Sequence, residues 1–356
     1  MSLRDTHLRH GATLAEDGIP LHYTDRATEY AHALQNAVLL DRSHQGRLRV
    51  TGKTCAEFLN RMSTNKLVNL ADGEGRATIF TNENGRVIDR VMVYAIDDAL
   101  LLITEPGRGP VVRQFLQSKV FFGDDVQVAD ITAQTVLFGL HGPNAKDIVM
   151  KLESDFTQSD VLVAKSLSVA DATVMILRNK PLVGSHWMII CDLGQAPFIY
   201  EHVLAGGQPY ALIPAGSLTY NVLRIRAGHP AAPEFANTIP LEIGLYDEVS
   251  FNKGCYTGQE IIARMDSRER IARLLVRLEL SEIQPTPVDI VAEGQKIGTL
   301  TSSAQTPDGT VFGLGLVKSG SDLGGTVQVG RVTAKLIGYA GTPPPFLRLE
   351  QHSASS

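Results

Sequence analysis

Beyond residue 268 the chain breaks into short apolar runs at 272–280, 289–291, 295–302, 310–317, 326–329 and 331–338, separated by Pro, Gly and Asp. Runs of that length bounded by turn residues are strands. Pro307-Asp308-Gly309 supplies a turn by fixing φ with proline and permitting a positive φ at glycine. Evenly spaced short strands leave no exposed edges if they close on themselves, so this segment predicts a small β-barrel.

The residues ahead of it must supply their own cores, and their pattern alternates between periods of 3.6 and 2. Residues 25–37 read as a helix, with Ala27, Tyr30, Ala31 and Leu34 on one face, and 47–51 as a strand. Thr54-Cys55-Ala56-Glu57 has the Thr-x-x-Glu form of a capping box, opening a helix to about Met62, with Cys55 read as packing. Strands at 77–81 and 87–95 flank Asn84-Gly85, a strong hairpin signal, and 100–104 follows as a third. A helix at 107–120 closes this first set. The order then repeats, with strands at 136–140, 161–167, 173–178 and 187–191 and helices at 145–152, 197–204 and 215–227. The expected fold is α+β, with two sheet-plus-helix halves followed by the barrel. The expected division is a loose lead-in at 1–24, domains at 25–155, 156–268 and 269–345, and a fraying Pro- and Ser-rich tail.

Composition narrows the function classes. A chain with 44% hydrophobic and 20% charged residues is an ordinary globular protein. Net charge is −5 with no basic block, which gives no electrostatic footprint for nucleic acid or an anionic membrane. The polar first twenty residues hold no apolar signal core and no later run would span a bilayer, so a cytoplasmic location is the default. Three cysteines, Cys55, Cys191 and Cys255, form no Cys-x-x-Cys, against a zinc site or a self-held cluster and in keeping with a reducing compartment. Gly107-Arg108-Gly109-Pro110 lacks the third glycine of a dinucleotide loop, and neither a Walker motif nor a Gly-x-Ser-x-Gly elbow occurs.

The chemistry concentrates in Lys253-Gly254-Cys255-Tyr256-Thr257-Gly258-Gln259-Glu260. Thr257 and Glu260 form a second Thr-x-x-Glu, so a helix is expected from about Gly258 with Thr257 as its cap. Cys255 then lies just ahead of a helix N-terminus, where free N–H groups favour an anion. Lys253, two residues earlier, shares its face in an extended approach. Both favour a thiolate, the nucleophilic form. The plainer reading is a buried structural cysteine.

These eight residues match letter for letter the signature of the YgfZ-type folate-binding proteins, relatives of the glycine-cleavage T-protein (GcvT) implicated in maintaining iron–sulfur enzymes. The resemblance runs over roughly residues 25–340, through Asp41-Arg42-Ser43-His44-Gln45-Gly46, Ser63-Thr64-Asn65-Lys66, Gly142-Pro143 and Arg224-Ile225-Arg226-Ala227-Gly228. His44, a single histidine near a glycine turn, is by itself a weak catalytic candidate. The resemblance implies a GcvT-like fold with ferredoxin-like halves, and tetrahydrofolate or a one-carbon derivative bound between the halves and the barrel. It makes Cys255 the reactive thiol, Lys253 its activator, and Asp89 the candidate carboxylate. Asn65, Arg224, Tyr256, Gln259 and Glu260 become the folate-site residues, with Gln259 and Glu260 fixing the loop. Partners would be folate and iron–sulfur client proteins or their assembly factors. A thiolate suits turnover of a one-carbon unit, a persulfide or an iron ligand alike.

A folate-dependent aminomethyltransferase or demethylase is the alternative, and a folate-gated binding module with a structural Cys255 is a third reading. Aminomethyl transfer wants a carboxylate near the folate amine, which Asp89 could supply. The family's Asp-Asp pair is reduced here to Asp89-Arg90, and Arg226 stands where a glutamate is expected. A plainer reading of Asp89 is a solvent-facing charge on a half-buried strand.

Overall fold

The computed structural model describes residues 2–23, 25–152, 162–169 and 171–347. Val161, expected to start a strand, and the chain past 347 lie outside the described residues. The chain forms two compact units, one of Met1–Leu59, Leu67–Ala77 and Val91–Leu223, the other of Asn60–Lys66, Thr78–Arg90 and Arg224–Ser356.

The first unit holds a six-stranded sheet in the order Ala164–Val169, Ala172–Asn179, Ser185–Asp192, Thr135–Gly142, Ala37–Asp41 and Leu212–Ala215. Only the last pair is parallel. Its strands therefore come from both sides of residue 155. One face packs Leu39, Phe138, Leu140 and Ile189 under the helices Ala145–Leu152 and Ala196–Gly207. The other packs Val38 and Leu40 against Ala33 of the helix Arg26–Gln35 and Leu223 of the helix Ser217–Ala227. Covered on both faces, Ala37–Asp41 is buried at all five positions and shows no alternation that would announce a strand.

A five-stranded sheet follows the order Gly75–Thr81, Val87–Ile96, Ala99–Pro106, Gln45–Thr51 and Gln127–Asp130. Its first two strands form the expected hairpin, closed by Asn82 N–H to Arg86 O at 2.9 Å. The hairpin end, Thr78–Arg90, groups with the second unit.

The expected loose lead-in is ordered instead. Ser2 and Asp5 form a capping box that opens the helix Leu3–Arg9, and Thr13–Leu14 pairs with Pro20–His22. The anchor is a polar residue, His7, which is 1% exposed. Its Nε2 lies 2.9 Å from Asp41 Oδ2 and its Nδ1 2.7 Å from the Tyr23 hydroxyl, which accepts from Tyr200 at 2.8 Å. A fully partnered buried chain of this kind fixes a segment whose apolar content would not.

The second unit contains the expected barrel, closed in the order Arg273–Leu280, Val311–Lys318, Gln295–Gln305, Val288–Ala292, Thr326–Val329 and Val332–Tyr339. Val276, Leu278, Ile290, Leu300, Val329 and Leu336 fill it. An irregularity at Leu300/Ser302 lets the third of these strands run past its predicted end. The α+β architecture with a closed C-terminal barrel is therefore the one expected.

Candidate functional site

The signature loop ends at the helix Gln259–Ser267, one residue later than expected and capped differently. The N-cap is Gly258, left-handed at φ 82°. A Cβ at Gly258 would meet Asn82 O at 2.6 Å and Gly85 Cα at 2.8 Å, so glycine is required there by conformation and by space. The predicted capping box does not form. Thr257 is held through its carbonyl, which accepts from Thr81 Oγ1 at 2.6 Å. Glu260 points to solvent and pairs with Arg264 one turn on, at 2.5 Å and with 81% of its side chain exposed. It does not fix the loop. Gln259 contributes its backbone N–H to Tyr256 O at 3.2 Å.

Lys253 reaches across to a different segment of the same unit. Its Nζ donates to the carbonyls of Asn60 at 2.5 Å, Ser63 at 2.6 Å and Asn65 at 2.8 Å. Asn60 is near the end of the helix Cys55–Met62, whose last carbonyls lack intrahelical partners and attract a cation. Burial pulls the Lys253 amine down to about 7. The three acceptors act the other way, because only an ammonium carries three N–H donors. All three hydrogens are committed to carbonyls, so Lys253, expected as the activator of Cys255, could act on the thiol only through its charge. Cys255 itself is exposed, not buried, and Gly254 is exposed beside it. Tyr256 turns inward to 8% exposure, with Lys253 Nζ 5.1 Å from its ring centre, and burial drives its hydroxyl well above the ordinary phenol range.

The turn that receives Lys253 is itself stitched down. Ser63 and Thr64 are fully buried. Thr64 Oγ1 donates to Glu248 O at 2.8 Å, Thr64 O accepts from Ser250 N–H at 3.0 Å, and Asn65 N–H donates to Thr78 Oγ1 at 2.8 Å. The Asn65 side-chain oxygen accepts from Lys66 N–H at 2.9 Å.

Asp89 and Arg90 are both buried, at 0% and 6% exposure, although they point to opposite faces of their strand. This overturns the reading of Asp89 as a solvent-facing charge. Arg90 grips the Glu248 carboxylate through Nε and Nη2 at 2.6–3.0 Å and lies 3.1 Å from His229 Nε2. The arginine in the place of a second aspartate is thus absorbed by a buried bidentate pair. Arg224, expected at the folate, has another task. Its guanidinium donates to Glu234 at 3.1 Å and to Ser302 at 2.9 Å, and Glu234 also accepts from Thr301 and Ser302. Glu248 and His229 went unmarked because each is a polar residue outside any periodic pattern, with a partner, Arg90, far along the chain.

Among the described residues no group of three His, Cys, Asp or Glu could hold a metal ion, and no helix is long and apolar enough to cross a membrane. The family model for the GCVT N-terminal domain matches residues 3–253. A chloroplastic protein of Arabidopsis thaliana, whose name assigns it provisionally as a transferase, is 32% identical over 358 residues, 99% of this chain and 81% of that one. An aminomethyltransferase of Thermotoga maritima is 26% identical over 97% of both chains. The crystal structure of glycine cleavage system aminomethyltransferase T from Bartonella henselae covers 94% of this chain and 96% of its own with a TM-score of 0.80; at 22% identity this is a likeness of fold.

Proposed function

The chain belongs to the GCVT-domain family, and from that premise we propose that it binds tetrahydrofolate or a one-carbon derivative and supports assembly or repair of iron–sulfur enzymes through Cys255. One observation carries the role of the thiol: Cys255 is exposed on a loop whose neighbours on both sides are anchored. Structural cysteines are buried and inert, whereas a working thiol must be reachable and held in place.

The donor set fits a folate. A pterin presents N–H donors and a ring face, and the second unit holds groups that would match them: the buried carboxylate of Asp89, the amide of Asn65 and the buried ring of Tyr256. These three and Gln259 would hold it. Arg224 and Glu260 belong to other contacts. When bound, the folate supplies a carrier for a one-carbon unit. Asp89 would accept hydrogen bonds from the ring or take a proton, and Cys255 would act as nucleophile or soft ligand.

Aminomethyl transfer is the second reading, favoured by the complete burial of Asp89 and by the name of the Thermotoga relative. Expression of wild type and Cys255→Ala in a bacterium lacking its own YgfZ-type protein, with an iron–sulfur enzyme assayed, separates the two. Tetrahydrofolate binding is followed in parallel by calorimetry. We expect rescue by wild type only, with folate binding retained in the variant. Equal rescue by both proteins would sink the role of the thiol, and no heat from tetrahydrofolate would sink the folate site. Aminomethyl transfer by purified protein with tetrahydrofolate would establish the second reading.

A further inference from the structure

We propose that Lys253 is a positioning residue, a latch whose ammonium ties the Cys255 loop to the turn at residues 63–65 and so sets where the thiol stands. This deepens the reading above, in which Cys255 is the working group, but its test uses no folate.

The geometry is that of a tether. Three carbonyls converge on one nitrogen at 2.5–2.8 Å, matching the three donors of an ammonium. A neutral amine could serve only two of them and would turn a lone pair toward the third. An arginine has no single atom with three donors, and its planar fork cannot converge on three oxygens around one point.

The loop depends on such a tether because Gly254 and Cys255 are exposed, with open space where a Cβ at Gly254 would stand. Its position comes from its ends. Lys253 anchors it two residues before the thiol, and Thr257 two residues after, through Thr81 Oγ1 at 2.6 Å. The two anchors lead to different places. Thr81 belongs to the hairpin strand, whereas the Lys253 carbonyls belong to residues 60–65. That segment in turn holds Glu248 O and Ser250 N–H through Thr64. The latch therefore closes a circuit, Ser250 to Thr64, Asn65 to Lys253, and back along the chain to Ser250. Residues 60–66 and 250–258 behave as one body while it is closed.

Hydrogen–deuterium exchange and thiol titration on the full chain test this, with wild type, Lys253→Met, Lys253→Arg and Thr81→Val. Lys253→Met keeps the stem and loses the donors. We expect residues 60–66 and 250–258 to exchange together at least about tenfold faster in Lys253→Met, as loss of hydrogen bonds from a charged donor requires. Lys253→Arg should do the same despite its charge. In both, the pH midpoint for alkylation of Cys255 by iodoacetamide should stay within about 0.3 unit of wild type. Thr81→Val, which leaves the latch intact, should loosen 250–258 alone. A midpoint raised by about one unit in Lys253→Met and restored in Lys253→Arg, with exchange unchanged, would show an electrostatic activator and overturn the latch. Faster exchange of 60–66 in Thr81→Val than in wild type would also overturn it, and this arm stands if Lys253→Met does not fold.

Discussion

Cys55 opens the helix Cys55–Met62, and Cys255 lies four residues ahead of the helix Gln259–Ser267; both starts read Thr-x-x-Glu. At the first, the Thr54 hydroxyl bonds to Asp125, donating to its carbonyl at 3.2 Å and accepting from its N–H at 2.9 Å. The Cys55 thiol is half-buried, and burial, aided by the charges of Glu57 and Asp125, pushes it up. At the second, a left-handed glycine replaces the side-chain cap, the thiol is exposed, and the lysine two residues before it is engaged with carbonyls. The four-letter pattern marks where a helix begins. It does not say which atoms cap it, or what surrounds the thiol, because those neighbours come from distant segments.

The sharpest way to break this contrast is by labelling. Iodoacetamide at pH 7.5 should alkylate Cys255 first, Cys55 next and Cys191 last. Cys191 is buried with its thiol pushed up to about 12, which makes it slower than Cys255 by about a thousandfold or more. Peptide mapping by mass spectrometry reads the order, and modification of Cys55 ahead of Cys255 would reverse the assignment. The next largest effect is on the frame of the Cys255 loop. Glu248→Ala leaves the Arg90 guanidinium buried without its carboxylate and should cost about 3–5 kcal/mol in urea unfolding. A loss below about 1 kcal/mol would mean the pair is not what holds that frame.

Gly258→Ala should cost about 2 kcal/mol or more, since an L-residue is strained at that φ and its Cβ would meet backbone. Acid sets a limit on all such comparisons. His141 is fully buried, its ring nitrogens have no hydrogen-bond partner among the described residues, and it stacks on His186 at 3.8 Å. Burial, reinforced by His186 and Arg42, holds it well below the ordinary histidine range. The unfolded chain takes up that proton below about pH 6.5 and the folded chain does not, so stability falls as pH drops below that value by up to about 1.4 kcal/mol per unit. His141→Phe should flatten this slope; an unchanged slope would place the acid sensitivity elsewhere. The smallest effects compare the two caps directly. Thr54→Ala should cost about 1 kcal/mol by losing its bonds to Asp125, whereas Glu260→Ala should leave the midpoint unmoved. A cost at Glu260 equal to that at Thr54 would mean that Glu260 does fix its loop.

Elements set by local chemistry were legible. The barrel strands, the Asn84-Gly85 hairpin and the helix Ala145–Leu152 follow from period and turn residues within a short window. The Cys255 loop was found because its residues are contiguous. Ala37–Asp41 was not, because a strand covered on both faces has no period to detect. The helix Leu3–Arg9 was missed because its anchor is a histidine bonded to Asp41, a long-range partner. The acceptors of Lys253 were not legible for the same reason: they lie at Asn60, Ser63 and Asn65, far along the chain from the loop.

The contact between Gly258 and Gly85 has a consequence for how this protein can vary. With two glycines back to back, the hairpin end acts as a ruler against which the helix start is measured. Asn84 stands exposed at its tip and can change chemically at little cost. An inserted or deleted residue between Asn82 and Arg86 would displace Gly85, and with it the helix start from which the thiol loop is hung. The segment is fixed in length.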